Sequence, residues 1–524
     1  MRGRFNVLLM ALILMSCSKG ESRPERDTAP VYGTVLTHDM IVLGDRLENP
    51  YKKENVETAL MSLYPTKADR IQLKATDLYV RFLPVSEEEY DLLTESGITL
   101  IDHPLDYDIL VEGDWYHDPE IPDEAITWQY AVVPSDFEFP DVLYEIIDEC
   151  YISEHDIHTK AYDVDWEEVE REAYILTGNE DMLDEQATRA SSKVKPSGRI
   201  TIVDKDANGG KAFGLAGVCV SCNSFVKFSE SYTDRDGYYT MPKTFNSSVR
   251  YRLIFKNVKG FSIGLNLVLV PASVSTLGKA SSEGINVTIT EDSDDKLFRR
   301  CVVNNAAYDY YSRCSSDDMG INPPPADLRI WIFHNLKSSS AVMLHHGALI
   351  QNSLVKSYLG AYYLLLELFA PDITLGLADR NDYKRIYSCV CHELAHASHF
   401  TKAGKEFWTE YIKYIMVSYA KTGGMTYGDG TGDGAGYCSV GEMWGYYLES
   451  KMYQERYGGA FPTFGSSFWF RPQILRNLDE RGFECSEIFS VLDSTVNSDE
   501  ALKAALIMNY PSKSKIVEQV FSRY

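Results

Sequence analysis

The chain has 524 residues, enough for about three domains with cores of their own. A net charge of −25 at pH 7 argues against a nucleic-acid partner, because phosphate neutralisation needs the opposite sign. With 44% hydrophobic and 24% charged residues the composition is that of a globular chain, which sets aside a disordered or fibrous one. At the start, Arg2 and Arg4 precede an apolar run from Val7 to Met15. The run is too short to span a bilayer as a mature helix and reads as an export signal.

Leu14-Met15-Ser16-Cys17 resembles a bacterial lipobox. The resemblance implies a signal segment over 1–17 ending at Cys17, which is acylated as the mature N-terminus, and a polar tether over 18–29. The expected location is the bacterial cell envelope, lipid-anchored at the outer membrane, with the periplasmic or external face left open. The competing reading is a plain secretory signal with an incidental cysteine. Ten cysteines less Cys17 leaves nine, so at least one thiol stays free in an oxidising compartment. Cys219 and Cys222 form a single CxxC without a second pair to complete a tetrathiolate site. They read as strand residues.

Residues 30–190 carry mixed signals and no chemical motif. Leu78–Leu83 alternates like a strand, Glu87–Glu95 reads as a helix, and Ile98–Ile101 as a short strand, giving a β-α-β unit. Trp128–Val133 adds a strand and Val142–Cys150 a mixed apolar run, while the acidic stretch 163–186 reads as a solvated helix followed by linker. A spacer or binding module is favoured over a propeptide-like one.

From Gly198 the texture changes to short alternating runs: 198–203, 217–220, 233–239 and 251–255, with turn residues between them. That is a β-sandwich pattern. Gly217-Val-Cys-Val220 followed by Thr233-Asp-Arg-Asp-Gly-Tyr238 resembles the carboxypeptidase-regulatory-like (transthyretin-like) sandwich over 197–265. The resemblance implies an accessory domain without catalytic residues. Asp236-Gly237 is expected to make a hairpin turn, with Asp234 and Asp236 as turn formers.

Further on, a helix is expected near Asp294–Cys314, a strand at Leu328–Phe333, a buried helix at Tyr358–Phe369 and a strand at Ile373–Leu377. His345-His346 reads as loop. Thr422–Tyr437 is glycine-rich and lacks the lysine of a phosphate loop and the terminal glutamate of an EF-hand, so it reads as a loop overhanging a cleft.

The most informative stretch is Cys389-Val-Cys-His392-Glu393-Leu-Ala-His396-Ala-Ser398, which contains HExxH. Histidines four apart on a helix face the same way and can reach one ion, and the glutamate beside the first is placed to take a proton from water. Asn381 and Asp382 offer an N-cap, and Ile386, Val390 and Leu394 recur at helical spacing. His399 cannot complete the site, since on a straight helix it lies about 10 Å from His392. Lys402 stands where a third histidine six residues past the second would be.

The pattern resembles the zincin metallopeptidases, and its layout the gluzincins, in which a glutamate on a following helix is the third ligand. The resemblance implies zinc held by His392, His396 and Glu442, with Glu449, seven residues on and on the same face, as the alternative. Glu406 and Glu410 look too close in sequence for the chain to reverse. Tyr446 stands where many gluzincins carry an aspartate, four residues after the ligand. The strand at 373–377, or a neighbour, is expected to form the sheet edge that pairs with substrate.

The expected whole is a multidomain α+β protein. It has a small α+β N-terminal module, a β-sandwich over 197–265, and over 290–524 a mainly α zincin-like domain with a small sheet. The expected function is membrane-anchored, zinc-dependent hydrolysis of protein or peptide substrates. Glu393 is the general base, and Tyr446, Tyr447 or Tyr427 the oxyanion donor. The competing class is a non-catalytic surface lipoprotein that binds a glycan or protein through its sandwich and carries a degenerate zincin domain.

Overall fold

The computed structural model describes residues 40–524 except 69–70, 114, 123–124, 159–161, 184–194, 265–273, 335–336, 349–370, 423–424 and 426. The signal segment, Cys17, the tether and the helix expected at Tyr358–Phe369 lie outside the described residues. The protein is mixed α and β, with large sheets and a helical C-terminal region.

The N-terminal portion runs β1 (Val42–Arg46), α1 (Lys53–Leu63), β2 (Asp77–Phe82), α2 (Glu87–Glu95), β3 (Tyr107–Val111), β4 (Gln129–Pro134), β5 (Tyr144–Cys150) and α3 (Trp166–Leu176). β2 sits between β4 and β5, antiparallel to both, which corrects the β-α-β unit. No strand forms at 98–101: Ile101 alone bridges to Tyr130, and Ile98 and Leu100 instead pack on the apolar cluster around Phe82 and Leu93. The acidic stretch is amphipathic rather than solvated all round. Asp165 caps α3 by accepting from the Glu167 and Glu168 amides, while Val169, Ala173 and Tyr174 face inward.

Glu170 is buried on that same helix. It accepts from Tyr51 Oη at 2.8 Å and from Lys227 Nζ at 3.0 Å, and the fully buried Lys227 also meets Glu154 at 2.6 Å. Breaking such a pair strands a charge away from water, so these contacts fix the N-terminal portion against the strand that carries Lys227.

Next come β6 (Ser197–Ile202), β7 (Phe213–Gly214), β8 (Val218–Ser224), β9 (Lys227–Tyr232), β10 (Tyr238–Thr240), β11 (Val249–Asn257), β12 (Ser262–Gly264), β13 (Val274–Ala280) and β14 (Val287–Ile289). They divide between two sheets: β10-β6-β14 with β7 beside β6, and a larger sheet containing β12-β11-β8-β9 with β13 beside β11. The turn at Asp236-Gly237 crosses from one sheet to the other, so it is not a hairpin. Asp234 Oδ1 accepts the amides of Asp236 and Tyr238, and Gly237 takes φ +86° where a Cβ would lie 2.0 Å from the Ile200 carbonyl. Cys219 and Cys222 lie on β8, and all nine described cysteines are buried free thiols.

The larger sheet does not end at residue 265. β12 pairs in parallel with β15 (Arg329–Phe333), β15 in parallel with β17 (Ile373–Gly376), and β17 antiparallel with β16 (Ser340–Ala341), making eight strands in all. β17 is therefore bonded on both sides, and among the described residues the edge belongs to its neighbour β16. Against this sheet pack α4 (Asp295–Arg313, capped by Asp294) and α5 (Tyr383–Thr422), followed by α6 (Ala435–Tyr457) and shorter helices to Phe521. One buried core runs from Ile200 through the sheet and helices to Val520. Among the described residues no helix is long and apolar enough to cross a membrane.

Candidate metal centre

The HExxH residues lie on the first half of α5, where every residue from 386 to 400 is buried. Of the two candidate caps, Asp382 accepts the Arg385 amide at 2.9 Å, while Asn381 accepts from Arg299 instead. Helical spacing then stacks His392 over His396, with ring centroids 4.6 Å apart and the two Nε2 atoms 3.0 Å apart.

α6 crosses beside this turn. Trp444 Nε1 donates to the Ala395 carbonyl at 3.0 Å, and Gly445 lets the two backbones close up. A Cβ on Gly445 would fall 2.8 Å from His396 Cε1 and 3.0 Å from His392 Cε1. The approach sets both acids of α6 beside the histidines. Glu442 Oε2 lies 3.5 Å from His392 Nε2, and Glu442 Oε1 lies 3.6 Å from His396 Nε2. Glu449, two turns further along the same face, meets the other side of the same ring at 3.3 Å from His392 Nδ1 and accepts from Ser388 Oγ. The two glutamates thus occupy opposite sides of His392.

α5 is not one straight helix. At Gly404, φ +85° and ψ 174° break it, and the chain doubles back. Fifteen residues of continuous helix would carry Tyr411 about 22 Å beyond His396. Their ring centroids are instead 6.0 Å apart, and Trp408 lies 5.3 Å from His396. The chain does reverse within a few residues, contrary to expectation, but it turns Tyr411 inward while Glu406 stays exposed and Glu410 pairs with Lys413. Tyr411 Oη donates to Glu442 Oε1. His399 is not in the cluster; it packs between Phe407 and Trp408, and burial pushes its pKa down to about 3.

The three tyrosines separate. Tyr446 lies edge-on to His392 at 4.4 Å, and its hydroxyl is 3.2 Å from that of Tyr427, which arrives from the glycine-rich loop. Tyr447 is a correction: one helical step rotates it away, and it donates to Asp479 Oδ2 at 2.5 Å. His345 and His346 also fall elsewhere, in a turn where His346 Nδ1 lies 2.9 Å from Asp372 Oδ1.

Ligand atoms of His392, His396 and Glu442 lie within 4.8 Å of one another, and all three residues are buried. In a tetrahedral site with bonds of about 2.0–2.1 Å, neighbouring ligand atoms stand roughly 3.3–3.4 Å apart. The His392–His396 and His392–Oε2 separations of 3.0 and 3.5 Å bracket that value, and the second carboxylate oxygen, Oε1, lies 3.6 Å from His396, so two imidazoles and a carboxylate fit a small divalent ion. Electrostatics point the same way. Burial opposes charge on His392, but Glu442 and Glu449 overcome it and hold that ring up at about 10, whereas burial and the charges of His392 and His399 push His396 well below its ordinary value.

Carboxylates on the distal nitrogen of a ligating histidine fix its tautomer and orientation. If the cluster holds a divalent ion, Glu449→Ala is expected to weaken its binding about 10–100-fold in a chelator competition, and undiminished affinity would remove Glu449 from the site. Compared with known protein families, with curated proteins and with solved structures, the chain matches none of them.

Proposed function

We propose that the chain is a zinc-dependent peptidase, tethered to the bacterial envelope through acylated Cys17. The observation that carries the reading is the buried His392–His396–Glu442 cluster with Glu393 set between its two histidines on the same helix. Glu393, Glu442 and Glu449 place three carboxylates in one water-excluded region, a cost that a divalent cation offsets.

Zinc bound there would supply Lewis acidity, polarising the scissile carbonyl and acidifying water at an open position. Glu393 accepts the proton of the attacking water and delivers it to the departing amine. Tyr446, backed by Tyr427, donates a hydrogen bond toward the oxygen on which charge develops. Burial of the cluster excludes competing water, with His392, Glu393, His396 and Glu442 all at 3% exposure or less.

That same burial supports a second reading, a structural ion site in a binding lipoprotein. The two are separated by zinc analysis of the purified chain together with digestion of a mixed library of short unstructured peptides. The peptidase reading expects one zinc per chain and library cleavage abolished by a chelator and restored by zinc. Stoichiometric zinc without cleavage would leave the structural reading.

A further inference from the structure

The doubling back at Gly404 brings a residue to the cluster that HExxH spacing does not announce. Tyr411 is 2% exposed, its ring packs at 4.6 Å on Trp408 and 6.0 Å from His396, and its hydroxyl donates to Oε1 of Glu442. We propose that Tyr411 is a positioning residue for the metal-binding carboxylate: by engaging Oε1 it directs attachment of the ion to Oε2, so that Glu442 binds through one oxygen and a coordination position stays open for a reacting molecule. The inference rests on the proposed ion site and goes beyond it in fixing how Glu442 is used.

The physical basis is competition for lone pairs. A carboxylate facing a divalent ion on its own can close on it with both oxygens, which fills a position that catalysis needs. A phenol held rigidly by Trp408 withdraws one oxygen from that contest. Its bond to an ionised acceptor is of the stronger, charge-assisted kind. The aromatic wall at Trp408 and Tyr411 comes from the returning half of α5, so the turn at Gly404 sets the carboxylate's orientation from outside α6.

The test uses the full-length protein stripped of metal and reloaded with zinc or cobalt(II), comparing wild type with Tyr411→Phe, which keeps the ring. Zinc affinity is read by chelator competition, the visible cobalt spectrum reports coordination number, and the melting temperature of the metal-free proteins checks folding. The wild type is expected to give the intense spectrum of a four-coordinate ion. Tyr411→Phe is expected to give the weaker bands of a five-coordinate one, with zinc affinity reduced about 10–100-fold. Identical spectra and affinities in the two proteins would overturn the role of Tyr411 while leaving the ion site standing. A wild-type spectrum that is already five- or six-coordinate would overturn it without recourse to the variant. Failure of the wild type to bind either ion would overturn the ion site itself and this inference with it.

Discussion

Glu393→Gln is expected to retain one zinc per chain and to lose peptide hydrolysis by about 10²–10⁴-fold, the range a general base contributes. The substitution preserves size and leaves the imidazoles untouched, so the loss would report proton transfer and not disassembly of the site. Glu393 is 1% exposed and sits one residue from His392 on a helix held by the Asp382 cap and the Trp444–Ala395 hydrogen bond. The measurement is kcat/KM on a cleaved library peptide, with metal content determined on the same sample. Full activity in a zinc-loaded Glu393→Gln protein would refute the assignment of the base.

The second large effect is expected from a residue with no side chain. Gly445→Ala introduces a methyl group 2.8 Å from His396 Cε1 and 3.0 Å from His392 Cε1, distances that require the rings or the helix to move. Overpacking of this kind costs about 1–3 kcal/mol. Because the displaced atoms belong to both histidines, zinc affinity is expected to fall by about 5–150-fold, which is that cost converted into affinity. Gly441→Ala, one turn earlier on the same helix, is the control. Its methyl group would meet only Tyr411 ring carbons, at 3.4 Å, an ordinary contact. Equal zinc affinities in the two glycine variants would show that close helix approach at Gly445 is not what shapes the cluster.

How much could be read in advance depends on the range of the interaction. His392, Glu393 and His396 are linked by helical spacing alone, a local rule, and the cap at Asp382 is equally local. Glu442 could be named from the resemblance to the gluzincins, and Glu449 because seven residues return to one helix face, but neither says which nitrogen of His392 each acid meets. That depends on where α6 crosses α5, which Gly445 decides. Tyr411 was hidden by Gly404: a lone glycine between Ala403 and Lys405 reads as a tolerated residue inside a helix, and only its backbone angles reveal a reversal. Sheet order was hidden for a similar reason. Ile373–Gly376 shows its strand character in its own residues, but its place between β15 and β16 is set by partners more than 30 residues away in the chain. At 98–101 the alternation was present without a neighbouring strand to pair with beyond Tyr130, and tertiary packing took precedence over the pattern.

The parallel pairing of β12 with β15, three residues from each strand, has a consequence for how this molecule can be divided. A piece starting after residue 290 would carry β15 with a raw parallel edge and without the strands that wall its core, an invitation to clumping. Heat or denaturant should therefore melt the middle and the C-terminal half together, and recombination could not trade either one between proteins as an interchangeable cassette.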